Sequence, residues 1–497
     1  MGDRKAELTA IVGDKNVLDD TETLDGYSSD KSFAGTVKPQ FVVRVGNADE
    51  VQKIIGWANE TGASLVPVSS GPPHFHGDTV PGVPGAVIVD LSGMKQILKI
   101  DRRNRLALIE AGVTYSELQP ALAEKGMMLS NPLLPRANKS VITSLLEREP
   151  RLNCRLQWSS LDPLRCLEIV FGDGNRLWTG DAGMGELNLE KQWAEEKWQV
   201  QPAGPGQTDF YRFLTAAQGS MGIATWASVR CEVLPQIHKL YFVPAKKLDD
   251  LFDFTYRILR FRYADELFIM NNTGLAYAIG KDAGQIESLR DRLPPWIVLV
   301  GIAGREELPG ERVEFQEKDI SEIAGEFGLE LMPGIPGAVG EQVLKVMLNP
   351  SPEPYWKFGY KGGCQDIFFV STLNKAPEFM KTISSVAEDL DYPTSDIGVY
   401  LQPRHQGANC HCEFSLPYDP DNAEEVSRIQ ALYTQASEAL AGAGAFYTRP
   451  YGIWSDMSFK KDPQSTALLR QIKNIFDPNG IMNPGKLCFD LQETKEG

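Results

Sequence analysis

Phe476-Asp-Pro-Asn-Gly-Ile-Met-Asn483-Pro-Gly485-Lys486-Leu487, near the end of a 497-residue chain, is the stretch whose reading decides the fold. The residues before it, Ala467 to Ile475, are predicted as a helix, and this segment stops it with a turn. Pro478 fixes one backbone dihedral, Gly480 accepts a left-handed one, and Pro484-Gly485 keeps the helix from restarting.

Working outward, a chain of this length exceeds a single core and predicts two or three domains. A net charge of -16 repels a phosphate backbone, so nucleic acid is not expected as a partner. The first residues, Met-Gly-Asp-Arg-Lys, carry no apolar run, and no later stretch is long and apolar enough to span a bilayer. Seven scattered cysteines, an odd number, favour reduced thiols and a cytoplasmic location.

The first half alternates short strands and helices. Phe41-Val-Val-Arg-Val reads as a strand, Val51 to Asn59 as an amphipathic helix opened by Asn47-Ala-Asp-Glu50, and Ser64-Leu-Val-Pro-Val68 as a strand again. A loop bearing Gly71, Pro72, Pro73 and Gly77 follows. Thr114 and Glu117 form a capping box for a helix from Tyr115 to Lys125. Asp173-Gly174 marks a hairpin turn. Residues 185–209 look like an insertion or long loop. From about 240 the helices lengthen, which predicts a second α+β domain over 236–440.

Several strings in this order resemble the vanillyl-alcohol-oxidase and 4-cresol-dehydrogenase type of FAD-linked oxidoreductase. They are Tyr27-Ser-Ser-Asp30, Lys38-Pro-Gln-Phe-Val-Val, Gly71-Pro-Pro-His-Phe-His-Gly77-Asp78, Gly112-Val-Thr-Tyr115, Gly219-Ser-Met-Gly222-Ile223 and the closing segment. The resemblance covers about 25–235 and 440–490. It implies an α+β, two-domain flavoprotein: a PCMH-type FAD-binding domain at 1–235, a smaller substrate domain at 236–440, and a C-terminal segment, 441–497, returning to the first. It also implies FAD as cofactor, with Asn483 near the flavin and hydride transfer from substrate to flavin N5.

A dinucleotide's pyrophosphate needs backbone N–H groups at close range without side chains in the way. Ser69, Ser70, Gly71, Gly77 and Asp78 can build such a nest, with Thr143, Ser144, Gly222 and Ile223 as further expected contacts. No Gly-x-Gly-x-x-Gly follows an early strand, which argues against a nicotinamide Rossmann domain. His74 and His76 stand in the loop where some relatives tether the flavin covalently; hydrogen bonding within the loop is the alternative.

On the substrate side, Gly398 to Leu416 reads as a hairpin turning at Gly407. Alternation puts Asn409, His411 and Glu413 on one face, Cys410, Cys412 and Phe414 on the other, and groups Tyr400, Gln402 and Arg404. His411 with Glu413 is a candidate base with its orienting carboxylate, or else a solvated strand face. In the 2-hydroxy-acid branch a corresponding hairpin carries histidines seven positions apart; His405 and His411 are six apart, so no metal site is expected. Zinc on His405 with Cys410 and Cys412 is disfavoured because opposite faces diverge. Tyr447 and Arg449 stand where the phenol-oxidising branch holds a phenolate. The first expectation is therefore oxidation of a phenolic substrate at a benzylic carbon. The alternatives are a 2-hydroxy acid bound by Arg404 or Arg449 with His411 as base, and a family member that binds FAD without turnover. A small-molecule substrate, a redox partner (cytochrome, quinone or electron-transfer flavoprotein) and a homodimer are the associations the resemblance suggests.

Overall fold

The computed structural model describes residues 4–155, 163–205 and 209–489. Its closing helix starts earlier than the periodicity suggests, spanning Pro463–Phe476, because Asp462 caps it by accepting the Ser465 N–H at 3.0 Å. Beyond the helix, the Asp477 carboxylate takes the N–H groups of Ile481 at 3.0 Å and Met482 at 2.9 Å. Lys473, one turn upstream, pairs with the same carboxylate, and both side chains are buried. The turn lays Met482 beside Leu65 as a parallel bridge, with Asn483 N–H donating to the Leu65 carbonyl at 2.8 Å. The tail thus extends the edge of the first sheet.

That sheet orders Val17–Leu18, Phe41–Arg44, Val87–Asp90 and Leu65–Val68, the last three parallel. The predicted helix crosses over as Ala48–Thr61, capped by Asn47, and buries Val51, Ile54, Ile55 and Trp57 on the sheet. An antiparallel sheet follows, in the order Ile97–Asp101, Leu106–Glu110, Gly222–Arg230, Leu164–Phe171 and Arg176–Trp178. Its last pair turns at the predicted Asp173-Gly174. The capping box is present, with Glu117 accepting the Thr114 N–H at 2.9 Å ahead of helix Tyr115–Glu124.

The stretch expected as a long loop holds a short helix, Leu189–Ala194. Trp193 and Trp198 sandwich the Lys99 ammonium, 4.4 and 4.3 Å from the two rings. Residues 206–208 of that stretch lie outside the described residues.

The second region is built on a six-stranded antiparallel sheet: Ile237–Ala245, Trp296–Gly304, Leu267–Asn271, Gly398–Arg404, Asn409–Tyr418 and Gly363–Ser371. Helices Phe252–Phe261, Pro309–Glu326, Ala376–Asp389 and Ala423–Gly442 cover one face, where Cys410, Cys412 and Phe414 join Phe254, Phe379 and Leu432 in the core. The hairpin pairs as alternation predicts, with Tyr400 opposite Glu413 and Gln402 opposite His411. Its polar face turns to the first region and, with the Gly71–Asp78 loop, forms the walls of the site. Tyr447, Tyr451 and Trp454 still belong to the core of this region, so the chain crosses back only after them.

Candidate active site

A cleft runs between the first sheet and the antiparallel one. Ser69, Ser70, His74, His76, Asp78, Thr143, Gly222 and Ile223, all candidates from the sequence, line it. Gly219 and Gly222 give its wall a bare backbone. A Cβ on Gly222 would sit 2.7 Å from the Val170 carbonyl oxygen, and one on Gly219, whose φ is +69°, would sit 2.4 Å from the Pro67 ring. Small residues, a hydroxyl-bearing floor and the buried, unpartnered Nε2 of His74 suit an elongated polar cofactor.

Other predicted contacts act from behind the wall. Asn483 donates through Nδ2 to the carbonyls of Asp78 at 2.8 Å and Gln218 at 2.7 Å, clamping two cleft-lining segments to the tail rather than entering the cleft. Gly77 gives its N–H to Asp30 at 2.6 Å and takes Lys486 on its carbonyl at 2.7 Å. The Gly71 carbonyl faces Arg136 at 3.5 Å. Ser144 is turned inward, accepting from Tyr115 at 2.8 Å and donating to Glu149 at 2.5 Å. Its position in the helix Val141–Leu146, one residue past Thr143, rotates it away from the cleft.

A stacked pair, His76 on Tyr451 with ring centroids 4.5 Å apart, stands at the end of the cleft. Beyond it lies a second cavity. Phe75, Tyr355, Trp356, Phe368 and Tyr400 give it aromatic walls, and Arg449 enters it with its guanidinium 3.9 Å above the Phe368 ring. Arg449 has no hydrogen-bonding acceptor among the described residues. Tyr447, predicted beside it, is placed elsewhere. It stacks on Trp454 at 4.8 Å and donates to the Ser437 carbonyl at 2.9 Å, inside the core. Two residues on, Arg449 reaches the cavity because the chain there follows a turn, not a strand or helix. Tyr451 is the tyrosine of this segment that lines the cleft.

The charged groups are arranged in two sets, each a lysine held between two carboxylates. Lys139 donates to Glu147 at 2.6 Å and Glu149 at 2.7 Å between the cleft and the second cavity. Burial raises the Glu147 carboxyl above its ordinary range. Lys357 donates to Asp366 and Glu413, both at 2.6 Å, and Glu413 also bonds His411 Nε2 at 2.9 Å. Burial alone would raise Glu413, but Lys357 and His411 beside it hold the carboxyl well below the usual range. Burial holds His411 itself down to about 4, so it is neutral at physiological pH. It does not line either cavity; it orients Glu413, which does. Burial, with Lys139 and Arg449 nearby, holds His76 down to about 3. Burial, with Glu147 and Asp30 nearby, raises Asp78 to about 7.

Lys139, Glu147, Glu149, Arg136, Lys357 and Asp366 escaped the sequence reading. The run Leu-Leu-Glu-Arg-Glu-Pro after an apolar half-helix was the available signal for the first set. Lys357 gave none, since its partners lie on two other strands. The zinc reading fails on geometry, because Cys410 and Cys412 point into the core opposite His411. Among the described residues no group of His, Cys, Asp and Glu is placed to hold a metal.

A dinucleotide cleft adjoining an aromatic, charge-lined cavity defines a flavin-dependent redox enzyme, and FAD fits the donors present. Two family models match: an FAD binding domain over residues 39–180 and the C-terminal domain of FAD linked oxidases over 369–487. The chain belongs to the PCMH-type FAD-linked oxidoreductases. Along 98% of its length it is 22% identical to the 4-cresol dehydrogenase [hydroxylating] flavoprotein subunit of Pseudomonas putida, covering 95% of that protein. It is 22% identical to the D-2-hydroxyglutarate dehydrogenase of Stutzerimonas stutzeri over 97% of this chain and 98% of the other. The solved structure of p-cresol methylhydroxylase with substrate bound shares its fold at a TM-score of 0.83, with 20% identity, 98% of this chain and 96% of the other covered. No helix among the described residues is long and apolar enough to cross a membrane.

Proposed function

We propose that this enzyme oxidises a small phenolic compound at its benzylic carbon, the bound FAD supplying the two-electron acceptor. One observation carries the reading: Arg449, buried and without an acceptor among the described residues, lies over Phe368 inside a cavity where Phe75, Tyr355, Trp356 and Tyr400 add further aromatic walls. A planar ring fits between such walls, and an oxyanion completes the guanidinium. Holding the phenol oxygen as phenolate supplies the electrons that allow a hydride to leave the para benzylic carbon. Lys139 and Lys357 are each held between two carboxylates, whereas Arg449 meets none among the described residues. His76 and Tyr451 close the boundary between cleft and cavity and exclude water there.

Anaerobic addition of a para-alkylphenol is expected to bleach the flavin of the purified enzyme, while lactate and glycolate leave it oxidised. Bleaching by the hydroxy acids alone would refute the reading. Arg449→Met is expected to slow flavin reduction by roughly 10²-fold, the usual cost of losing one charged stabiliser of a developing oxyanion.

A further inference from the structure

We propose that substrate reaches the second cavity through a third one, which opens at the surface under the strap 30–34, with His76 as the gate between them. The choice of a phenol as probe rests on the function proposed above; the passage rests on how the cavities join.

The described residues that line the cleft and the second cavity are all buried or half-buried, and none is exposed. An enzyme that turns over must still admit substrate and release product. The third cavity differs. Exposed Ala34 on the strap, exposed Gly452 and Asp456 around the start of helix Ile453–Phe459, and exposed Gly485 in the closing segment all belong to its lining. Its other limit is shared ground. Phe75 and His76 line all three cavities, Asp366 lines this one and the second, and Tyr451 lines this one and the cleft. The third cavity therefore joins an exposed rim to the stacked His76–Tyr451 pair, where cleft and second cavity meet.

The three side chains between the third and second cavities are held unequally. Asp366 is fixed by Lys357 at 2.6 Å and by Ser415, which donates to it at 2.7 Å. Phe75 stacks on Phe358 with ring centroids 5.5 Å apart and lies under the Arg136 guanidinium. His76 is held by ring contacts, with Tyr451 at 4.5 Å and Phe368 at 5.6 Å. Such contacts are weaker than a buried charge-assisted hydrogen bond, so His76 gives way more easily than Asp366. The strap ties the His76 loop to the second region. Asp30 takes the Gly77 N–H at 2.6 Å, Lys31 gives its own N–H to the His74 carbonyl at 2.9 Å, and the Lys31 carbonyl accepts from Gln365 at 2.6 Å. Phe33, edge-on to Tyr433 at 5.9 Å, and Trp454 give the passage aromatic walls, which suit the transit of an aromatic ring.

Stopped-flow mixing of the holoenzyme with phenol, read by the flavin difference spectrum, gives association and dissociation rates. A change confined to a passage alters the barrier and not the two end states, so both rates move by one factor and Kd stays constant. Ala34→Phe narrows the strap side and Ile453→Phe the opposite rim. Each should slow both rates about tenfold, with flavin content and melting temperature kept near those of the parent. His76→Ala, which removes the gate, should quicken entry. Unchanged rates in both narrowing variants, a Kd that shifts while association stays constant, or entry no faster in His76→Ala would each overturn the proposal. So would an effect confined to reoxidation of the reduced flavin, because the passage would then serve the oxidant. The two readings fail separately. If the variants slow phenol binding but no para-alkylphenol bleaches the flavin, benzylic oxidation falls and the passage stands. If bleaching occurs and the rates ignore both rims, the reverse holds. If lactate perturbs the flavin and phenol does not, the same rates are read with lactate; if neither does, the second cavity is not the substrate site and the proposal falls.

Discussion

Asp477→Asn is the substitution that most directly probes the closing segment. In the parent, Asp477 neutralises buried Lys473 and accepts two backbone N–H groups, so the turn and the ion pair form one unit. Asparagine keeps the shape, removes the charge and turns an N–H₂ towards one of the donors. Removing one partner of a buried pair costs about 3–5 kcal/mol. Losing a backbone acceptor adds roughly 1 kcal/mol. Against a total stability of about 5–15 kcal/mol, that is a large fraction. The strand pairing of Met482 with Leu65 and the Asn483 clamp on Asp78 and Gln218 would loosen together, so flavin should be lost before the second region unfolds.

Urea unfolding of the holoenzyme, followed by flavin fluorescence and far-ultraviolet circular dichroism, measures both effects. Burial already holds Lys473 below its ordinary range. In the variant it can shed its proton, so the unfolded chain binds more protons than the native one. The defect should therefore shrink as pH rises from 7 towards the unfolded lysine value of about 10.4. A variant within about 1 kcal/mol of the parent at neutral pH would refute the reasoning, since no buried-pair cost would then exist. So would a defect that deepens with rising pH.

Gly219→Ala places a methyl against Pro67 at a left-handed backbone position, and the purified protein should show a markedly lower ratio of flavin to protein absorbance. His74 and His411 are buried and held down to about 4, so the unfolded chain takes up protons that the native one refuses as pH falls from about 6.5 to 4. Each should then withdraw roughly 3 kcal/mol of stability across that window, visible as a falling melting temperature, and His411→Gln should flatten the decline. Acid precipitation of the holoenzyme should leave the yellow colour in the supernatant; a yellow pellet that turns colourless in His76→Ala would instead make His76 a covalent tether.

The cleft was legible in the sequence where local chemistry and contact coincide. Ser69, Ser70, Asp78 and Thr143 belong to short loops and a helix start, whose small and hydroxyl side chains already suggest phosphate. The hairpin faces were legible because strand alternation needs no tertiary information, and His411 with Glu413 fell on the predicted side. Tyr447 and Arg449 were read as a pair from their spacing. In the structure they diverge, since the irregular backbone between Ala445 and Gly452 has no fixed period to set side-chain direction.

Sequence alone determined many of the elements, because turn residues, caps and apolar periodicity act over a few positions, while the cofactor class and the return of the closing segment followed from the family resemblance. Only the tertiary structure decided which charges are neutralised. Lys139 meets Glu147 and Glu149 around a helix, Lys357 meets Asp366 and Glu413 across strands, and Arg404, Arg148 and Arg449 meet no carboxylate among the described residues. Coulomb interactions depend on distances between segments far apart in the chain and on the burial around them, and neither is written in any local pattern.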